Sequence, residues 1–136
     1  MKGFKVLPQK INPIHGEIES YAISCALSRE SAIDAGELRE FAAELMISIA
    51  SACFHYGAKQ IGHIKGLLEH ETGFLNADTL GTPEDVMVEG KDGDPAKRFK
   101  LLINSVVYGL AADAIGRATE ESLNSISSRF RLTREP

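Results

Sequence analysis

Tryptophan is absent from the chain, cysteine occurs twice in 136 residues, and aromatic side chains make up only 7% of positions. An excess of one charge is also missing, because 15 basic and 19 acidic residues leave a net charge of −4. The basic residues are not interleaved with aromatic side chains that could stack on bases. We therefore expect no nucleic-acid partner. The apolar runs are far shorter than a bilayer is thick, so we expect no membrane partner either.

The common motifs of catalytic and cofactor sites are missing as well. No G-x-x-x-x-G-K-[ST] loop and no G-x-G-x-x-G turn occurs, so we expect no bound nucleotide. No H-E-x-x-H, paired C-x-x-C, EF-hand loop or G-x-S-x-G is present. An enzyme built on this chain would therefore work without a recognisable signature.

The two cysteines, Cys25 and Cys53, lie in separate predicted elements, each within an apolar pattern. Such thiols are usually buried, reduced and packed as small hydrophobic side chains. The first residues carry charge but not the apolar run of a signal peptide. These features predict a cytoplasmic protein.

A length of 136 residues fits one domain with its own core, and 43% hydrophobic residues are ordinary for a globular chain. Residues 1–17 contain glycine and proline without a sustained period, which predicts an irregular arm. Residues 127–136 are polar and basic and are expected to form a tail. We therefore predict a single domain over residues 1–136.

A strand followed by a helix gives the clearest pattern in the chain. Alternating apolar residues from Tyr21 to Leu27 predict a half-buried strand. Asp34, with Glu37 three residues later, has the spacing of a capping box. Apolar residues then recur at steps of three and four up to Cys53, and Gly57 lies where a left-handed residue ends a helix. A helix over this range is predicted.

Further strands and a second helix follow. Strands are predicted over residues 59–71, 73–80 and 99–109, a loop with a short strand piece at 86–90 is predicted over 81–98, and a helix is predicted over 110–130. The order strand, helix, strand, strand, strand, helix predicts an α+β fold. We expect a two-layer sandwich with a mainly antiparallel four-stranded sheet and both helices on one face.

Two glycines weaken the strand at residues 59–71. Gly62 and Gly66 have the same parity as Ile64 and Leu68, so the four should share one face. Glycine at such positions indicates a bulky neighbour that packs close, such as a helix lying across the sheet.

The same strand, "IGHIKGLLE", carries the main candidate site. His63, Lys65 and Glu69 share its other face. Ordinary polar side chains on an open sheet would give the same pattern. A small acid–base enzyme would instead use His63 as general base, with Lys65 or Glu69 adjusting its pKa and residues 81–98 as its candidate lid.

A metal site is a further alternative. His55, His63 and His70 are candidate ligands, the first near the end of the preceding helix. Catalytic zinc usually has three protein ligands, and no convincing third ligand accompanies a histidine and a carboxylate here. The cofactor is therefore unknown, with a divalent metal left open.

Residues 18–126 resemble a known family in the order and spacing of their elements. The strand "YAISCALSRESAID" leads into the helix "AGELREFAAEL", and after a glycine comes the strand "GAKQIGHIK". A later strand ends in Val-Tyr-Gly before the last helix, in "NSVVYGLAADAIGRATEESL". This combination resembles the C-terminal domain of the CobW-like GTPases, a family of metal-trafficking and cobalamin-associated proteins.

The resemblance implies an accessory domain that stands alone, because the family's GTPase domain, with its P-loop and C-x-C-C motif, has no counterpart in this sequence. It implies a non-catalytic module whose contact positions include His63 and Lys65. We therefore expect a binding module that works beside a metal- or corrinoid-handling system. Its contact residues would be His63, Lys65 and Glu69. They would contact a protein (a GTPase or a metal or corrinoid client), a metal or the cofactor. A sheet-to-sheet homodimer is the structural alternative, because "LLINSVVYG" has apolar residues on both faces.

Overall fold

The computed structural model describes residues 18–136, so the arm expected over residues 1–17 lies outside the described residues. The elements are β1 (Ile18–Ile33), α1 (Ala35–His55), β2 (Gln60–His70), β3 (Gly73–Thr79), β4 (Met87–Lys91), β5 (Ala96–Tyr108), α2 (Ala112–Arg129) and β6 (Thr133–Arg134), with a 3-10 turn at Pro83–Asp85. Within residues 18–136, neither helix is long and apolar enough to cross a membrane.

The strands form one sheet in the order β4-β3-β2-β5-β1-β6, and every neighbouring pair is antiparallel. The predicted α+β class, with two helices and an antiparallel sheet, is confirmed. The predicted number of four strands is wrong, because the sheet has six strands within residues 18–136. The short strand piece predicted at residues 86–90 corresponds to β4, which joins the sheet as a mostly exposed edge strand of 5 residues. Strand β6 has only 2 residues, so it has no apolar alternation that would predict it.

Helix α1 begins as its sequence predicts. The Asp34 side chain accepts a hydrogen bond from the Glu37 backbone N–H at 2.8 Å, and the Glu37 carboxylate accepts one from the Asp34 N–H at 3.5 Å. After the helix, Gly57 has a positive φ of 107°, which suits a glycine past a helix end. The apolar positions from Leu38 to Cys53 are buried, so the predicted helix is confirmed.

Phe41 lies at the centre of the core, where α1 and the end of α2 meet the sheet. Its ring contacts Phe99 of β5 edge to face, with 5.7 Å between centroids, and contacts Phe130 in the same way at 5.5 Å. Phe41 itself is fully buried. Such pairs add stability beyond the area they bury, so this cluster joins both helices to the middle of the sheet.

Both cysteines are free thiols, as predicted. Cys53 is buried in α1, and its burial raises the pKa of the thiol to about 11, so it stays protonated at neutral pH. Cys25 is only half-buried, and burial raises its pKa as well.

Strand β2 contains a β-bulge at Gly62, where Ile61 and His63 pair with neighbouring residues of β5. A Cβ on Gly62 would lie 3.0 Å from the carbonyl oxygen of Val106, on the side of the sheet away from the helices. A Cβ on Gly66 would instead meet a methionine methyl of α1 at 3.1 Å. The prediction that a helix packs close is confirmed for Gly66 and wrong for Gly62, because the bulge turns Gly62 to the other face.

Residues 127–136, expected as a polar tail, contribute to the fold. Helix α2 includes the first of them, and Arg131 then turns the chain with a positive φ of 60°. Leu132 returns to the core and is 6% exposed. Strand β6 pairs with β1, and the Glu135 N–H donates to the Ala26 carbonyl at 2.9 Å.

Arg29, on β1, joins the sheet to both helices. Its Nε donates to Ser31 O, its Nη2 to Ala32 O and its Nη1 to Phe130 O, at 2.8 to 3.0 Å. The two remaining N–H groups bind the Glu37 carboxylate at 3.0 and 3.3 Å. Ser31 and Ala32 lie where the pairing of β1 with β5 is interrupted. All five guanidinium donors are therefore used, and they reach the sheet edge, the start of α1 and the end of α2.

We expect Arg29→Ala to lower the free energy of unfolding by roughly 3 kcal/mol, because it removes the five hydrogen bonds and the packing of a side chain that is only 4% exposed. Urea denaturation measures this loss. Arg39→Ala is the matched control, because it breaks an exposed ion pair with Asp92 and should cost at most about 1 kcal/mol. Equal losses in the two variants would contradict this role for Arg29.

The Arg29 guanidinium lowers the pKa of the Glu37 carboxyl, chiefly through its hydrogen bonds. The folded pKa thus lies below the unfolded value of about 4.3. Such a group stabilises the fold above the unfolded pKa and loses this effect as the pH falls through the folded pKa. We therefore expect Glu37→Gln to destabilise the protein at neutral pH, and to do so less and less below about pH 4.

Urea denaturation of both proteins between pH 7 and pH 3 tests this expectation. Glu30→Gln, at an exposed position of β1, is the control and should show no such trend. A stability difference between Glu37→Gln and the unchanged protein that is the same at both ends of the pH range would contradict it.

Candidate functional site

In the part of the chain that the structure describes, no element covers the face of the sheet opposite the helices, and we call it the open face. Its residues alternate along each strand with the buried residues of the helix side. They are Ser20, Ala22, Ser24 and Ala26 of β1, Lys100, Leu102, Asn104 and Val106 of β5, His63, Lys65, Leu67 and Glu69 of β2, Phe74, Asn76 and Asp78 of β3, and Met87, Glu89 and Lys91 of β4. All three predicted contact residues of β2 thus lie on this face.

The centre of the open face is apolar. Leu67 and Leu102 lie directly opposite each other on the two central strands, and Leu102 is 48% exposed. Asn76 and Ser24 continue this row across the neighbouring strands, and Glu89 of the edge strand β4 ends it. An apolar centre within a polar surround is the usual composition of a protein–protein contact.

The rows on either side of this centre carry charges of both signs. Lys65 lies opposite Asp78 of β3, and Glu69 lies opposite Lys100 of β5. Lys65 and Glu69 are both exposed. Within residues 18–136, neither of the two forms an ion pair. Both charges are therefore available to a molecule that docks on the open face.

His63 is far from the carboxylate that an acid–base site would require. It lies two residues from Lys65 along β2, about 7 Å, but six residues from Glu69, about 20 Å. Its partner across the strands is Val106, which carries no charge. A general base acts through a hydrogen bond or a single water, so His63 and Glu69 do not act together on one proton.

The three histidines considered as metal ligands also lie apart. His55 is exposed at the end of α1, where its ring contacts Tyr56 edge to face. His63 is on the open face, and His70 lies at the far end of β2, about 23 Å away along the strand. In the part of the chain that the structure describes, no three His, Cys, Asp or Glu side chains gather closely enough to hold a metal ion.

A cleft of about 780 Å³ lies where the turn between β2 and β3 faces the start of β5. Both Glu69 and His70 border it, together with Asp94 and Lys100. Residues 87–91 and 96–98 of the loop predicted over residues 81–98 belong to β4 and to the first part of β5, and only the last residues of that range line this cleft. The cleft carries charges of both signs and leaves His63 outside it.

Sequence reasoning missed the residues that surround the predicted ones. Asp78, Lys100 and Leu102 complete the open face, but they lie on strands distant in sequence from β2. Periodicity shows which side of its own strand a residue takes, but not which strand lies beside it. Only the alternation of each strand could have marked these residues as outward-facing.

Comparison with protein-family models and with curated proteins gives no match for this chain. Solved structures that match over 77% of the chain are the Zn(II)-bound YjiA GTPase from E. coli, with a TM-score of 0.37, and a Zn(II)-bound triple mutant of the YjiA GTPase, with a TM-score of 0.40. Each is 14% identical in sequence, and this chain covers 29% of that chain's length. YjiA is a CobW-family GTPase. Structural similarity this weak supports no conclusion about the function of this chain. The bound zinc and the description as a GTPase apply to YjiA alone.

Proposed function

We propose that this chain is a non-catalytic binding module that contacts a protein through the open face of its sheet. The observation that carries this proposal is the open face itself, with Leu67 and Leu102 at its centre and the exposed charges of Lys65 and Glu69 on either side. The separation of His63 from Glu69 by six strand residues, about 20 Å, speaks against the form of the acid–base alternative that pairs these two residues.

The class of client follows from the resemblance of the sequence to the C-terminal domain of CobW-like GTPases. In that family the domain works beside a GTPase domain, and no P-loop occurs in these 136 residues. We therefore propose an accessory role next to a separate GTPase, or next to a metal- or corrinoid-handling client. His63 and Lys65, at the positions that match the family, would form part of the contact.

Binding to the isolated GTPase domain of a CobW-family protein, measured by calorimetry, tests this function. We expect micromolar binding that Leu102→Asp weakens at least tenfold, because the variant would bury a carboxylate without a partner. Ile47→Asp is the matched control, since Ile47 is an exposed apolar residue of α1 on the opposite layer. The absence of binding, or equal weakening by both variants, would contradict the proposal.

A titration with Co²⁺, Ni²⁺ or Zn²⁺ separates protein contact from metal binding. Any affinity for these ions should be unchanged in His63→Ala, because His63 lacks a surrounding ligand set within residues 18–136. His55→Ala serves as the control histidine. Tight binding that is lost only in His63→Ala would make the open face a metal site and would contradict a purely protein-contacting role.

A further inference from the structure

We infer that a second copy of this chain covers the open face, related by a two-fold axis that crosses the strands at right angles through Leu67 and Leu102. This inference concerns the same open face as the proposed function. It states which molecule covers that face when no client protein is bound. Its test uses the chain alone, so that either conclusion can fail without the other.

The charges of β2 select this axis. Suppose that two copies of this face meet about a two-fold axis that lies in the plane of contact. A residue on the axis then faces its own counterpart, and a residue to one side of the axis faces the residue that lies equally far on the other side, in the second copy. An axis along β2 would set Lys65 against Lys65 and Glu69 against Glu69 of the second copy. An axis across the strands through Leu67 sets Lys65 against Glu69 of the second copy, twice, because both lie two residues from Leu67. Like charges brought together disfavour a contact, so the second arrangement is preferred.

The uncharged residues of the middle row suit the same axis. Leu67 and Leu102 would each meet their own counterparts and bury the apolar centre of the face. Ser24 and Asn76, in the same row, would also meet their counterparts, and these uncharged side chains tolerate a neighbour of their own kind. Glu89 of β4 ends the row and would meet Glu89 of the second copy, a single like-charge contact at the rim of the face, against two Lys65–Glu69 contacts near its centre. Along β1 the open face carries only small side chains from Ser20 to Ala26, so the second sheet can approach closely.

The size of the face fits a modest dimer. Five strands spaced about 4.8 Å apart and about 26 Å of strand length give roughly 600 Å² per copy, or about 1,200 Å² in total. This is the lower end for a specific protein contact, so we expect association in the micromolar range. An axis across the strands also keeps the strands of the two sheets aligned, as in β-sandwiches.

Sedimentation velocity over a range from about 2 to 500 µM tests the inference, which expects association in the micromolar range. The unchanged protein should shift from its chain mass of 14.8 kDa toward twice that mass. Lys65→Glu alone sets two carboxylates together, its own and that of Glu69 of the second copy, and Glu69→Lys alone sets two lysines together. Each variant should therefore need at least tenfold higher concentration to associate. An equimolar mixture of the two should recover association, because each copy then supplies the charge that the other lacks.

Two controls keep the result specific. Arg117→Glu makes the same charge change as Lys65→Glu at an exposed position of α2, and should associate like the unchanged protein. Recovery in the mixture also shows that both charge variants are folded. A protein that stays monomeric over the whole concentration range would overturn the inference. The cover of the open face would then have to be sought in residues 1–17 or in a different protein. Association that both charge variants retain would overturn it as well, because the contact would then lie elsewhere.

Discussion

The hydrogen bonds of the Arg29 guanidinium hold the two layers of this protein in their relative position. A guanidinium with a side chain only 4% exposed is costly to bury unless every donor finds an acceptor. Here the acceptors come from three places, namely the interrupted end of β1, the Glu37 carboxylate at the start of α1 and the Phe130 carbonyl past α2. Both helices are therefore anchored to one corner of the sheet. The ring of Phe130 then packs on Phe41, so the polar anchor and the aromatic core depend on the same turn of chain.

With both helices on one side, the other side of the sheet has no cover within residues 18–136. Central strands β2 and β5 would normally be the most protected in a sheet, yet Leu102 of β5 is 48% exposed. Single exposed leucines are common on protein surfaces, but here Leu102 and Leu67 are paired between two rows that each carry charges of both signs. The binding role and the self-association proposed above both follow from this one-sided packing, and they would compete for the same residues.

The local elements of this fold could be predicted from sequence because their signals are local. The capping box of Asp34 and Glu37, the helical spacing up to Cys53 and the alternation of β1 each depend on residues a few positions apart. The bulge at Gly62 could not be predicted, because a bulge is defined by how β2 pairs with β5, and the sequence of β2 alone does not give that pairing. The strand piece at residues 86–90 could be predicted, but not that it joins the sheet as the edge strand β4. Strand β6 is too short and too exposed to carry a pattern, and the neighbours of Lys65 and Glu69 depend on strand order. Arg29 lay within a predicted strand, and nothing in its spacing indicated partners in both helices.

The open face is the proposed contact surface, and a second copy is its proposed cover. The most direct measurement is the effect of a soluble paramagnetic agent on the methyl NMR signals of Leu67 and Leu102, in dilute and in concentrated protein. Ile47, exposed on α1, is the internal reference. We predict that the leucine methyl groups become protected at high concentration while Ile47 stays accessible. Leucine signals that remain equally accessible at every concentration at which the protein self-associates would contradict this prediction.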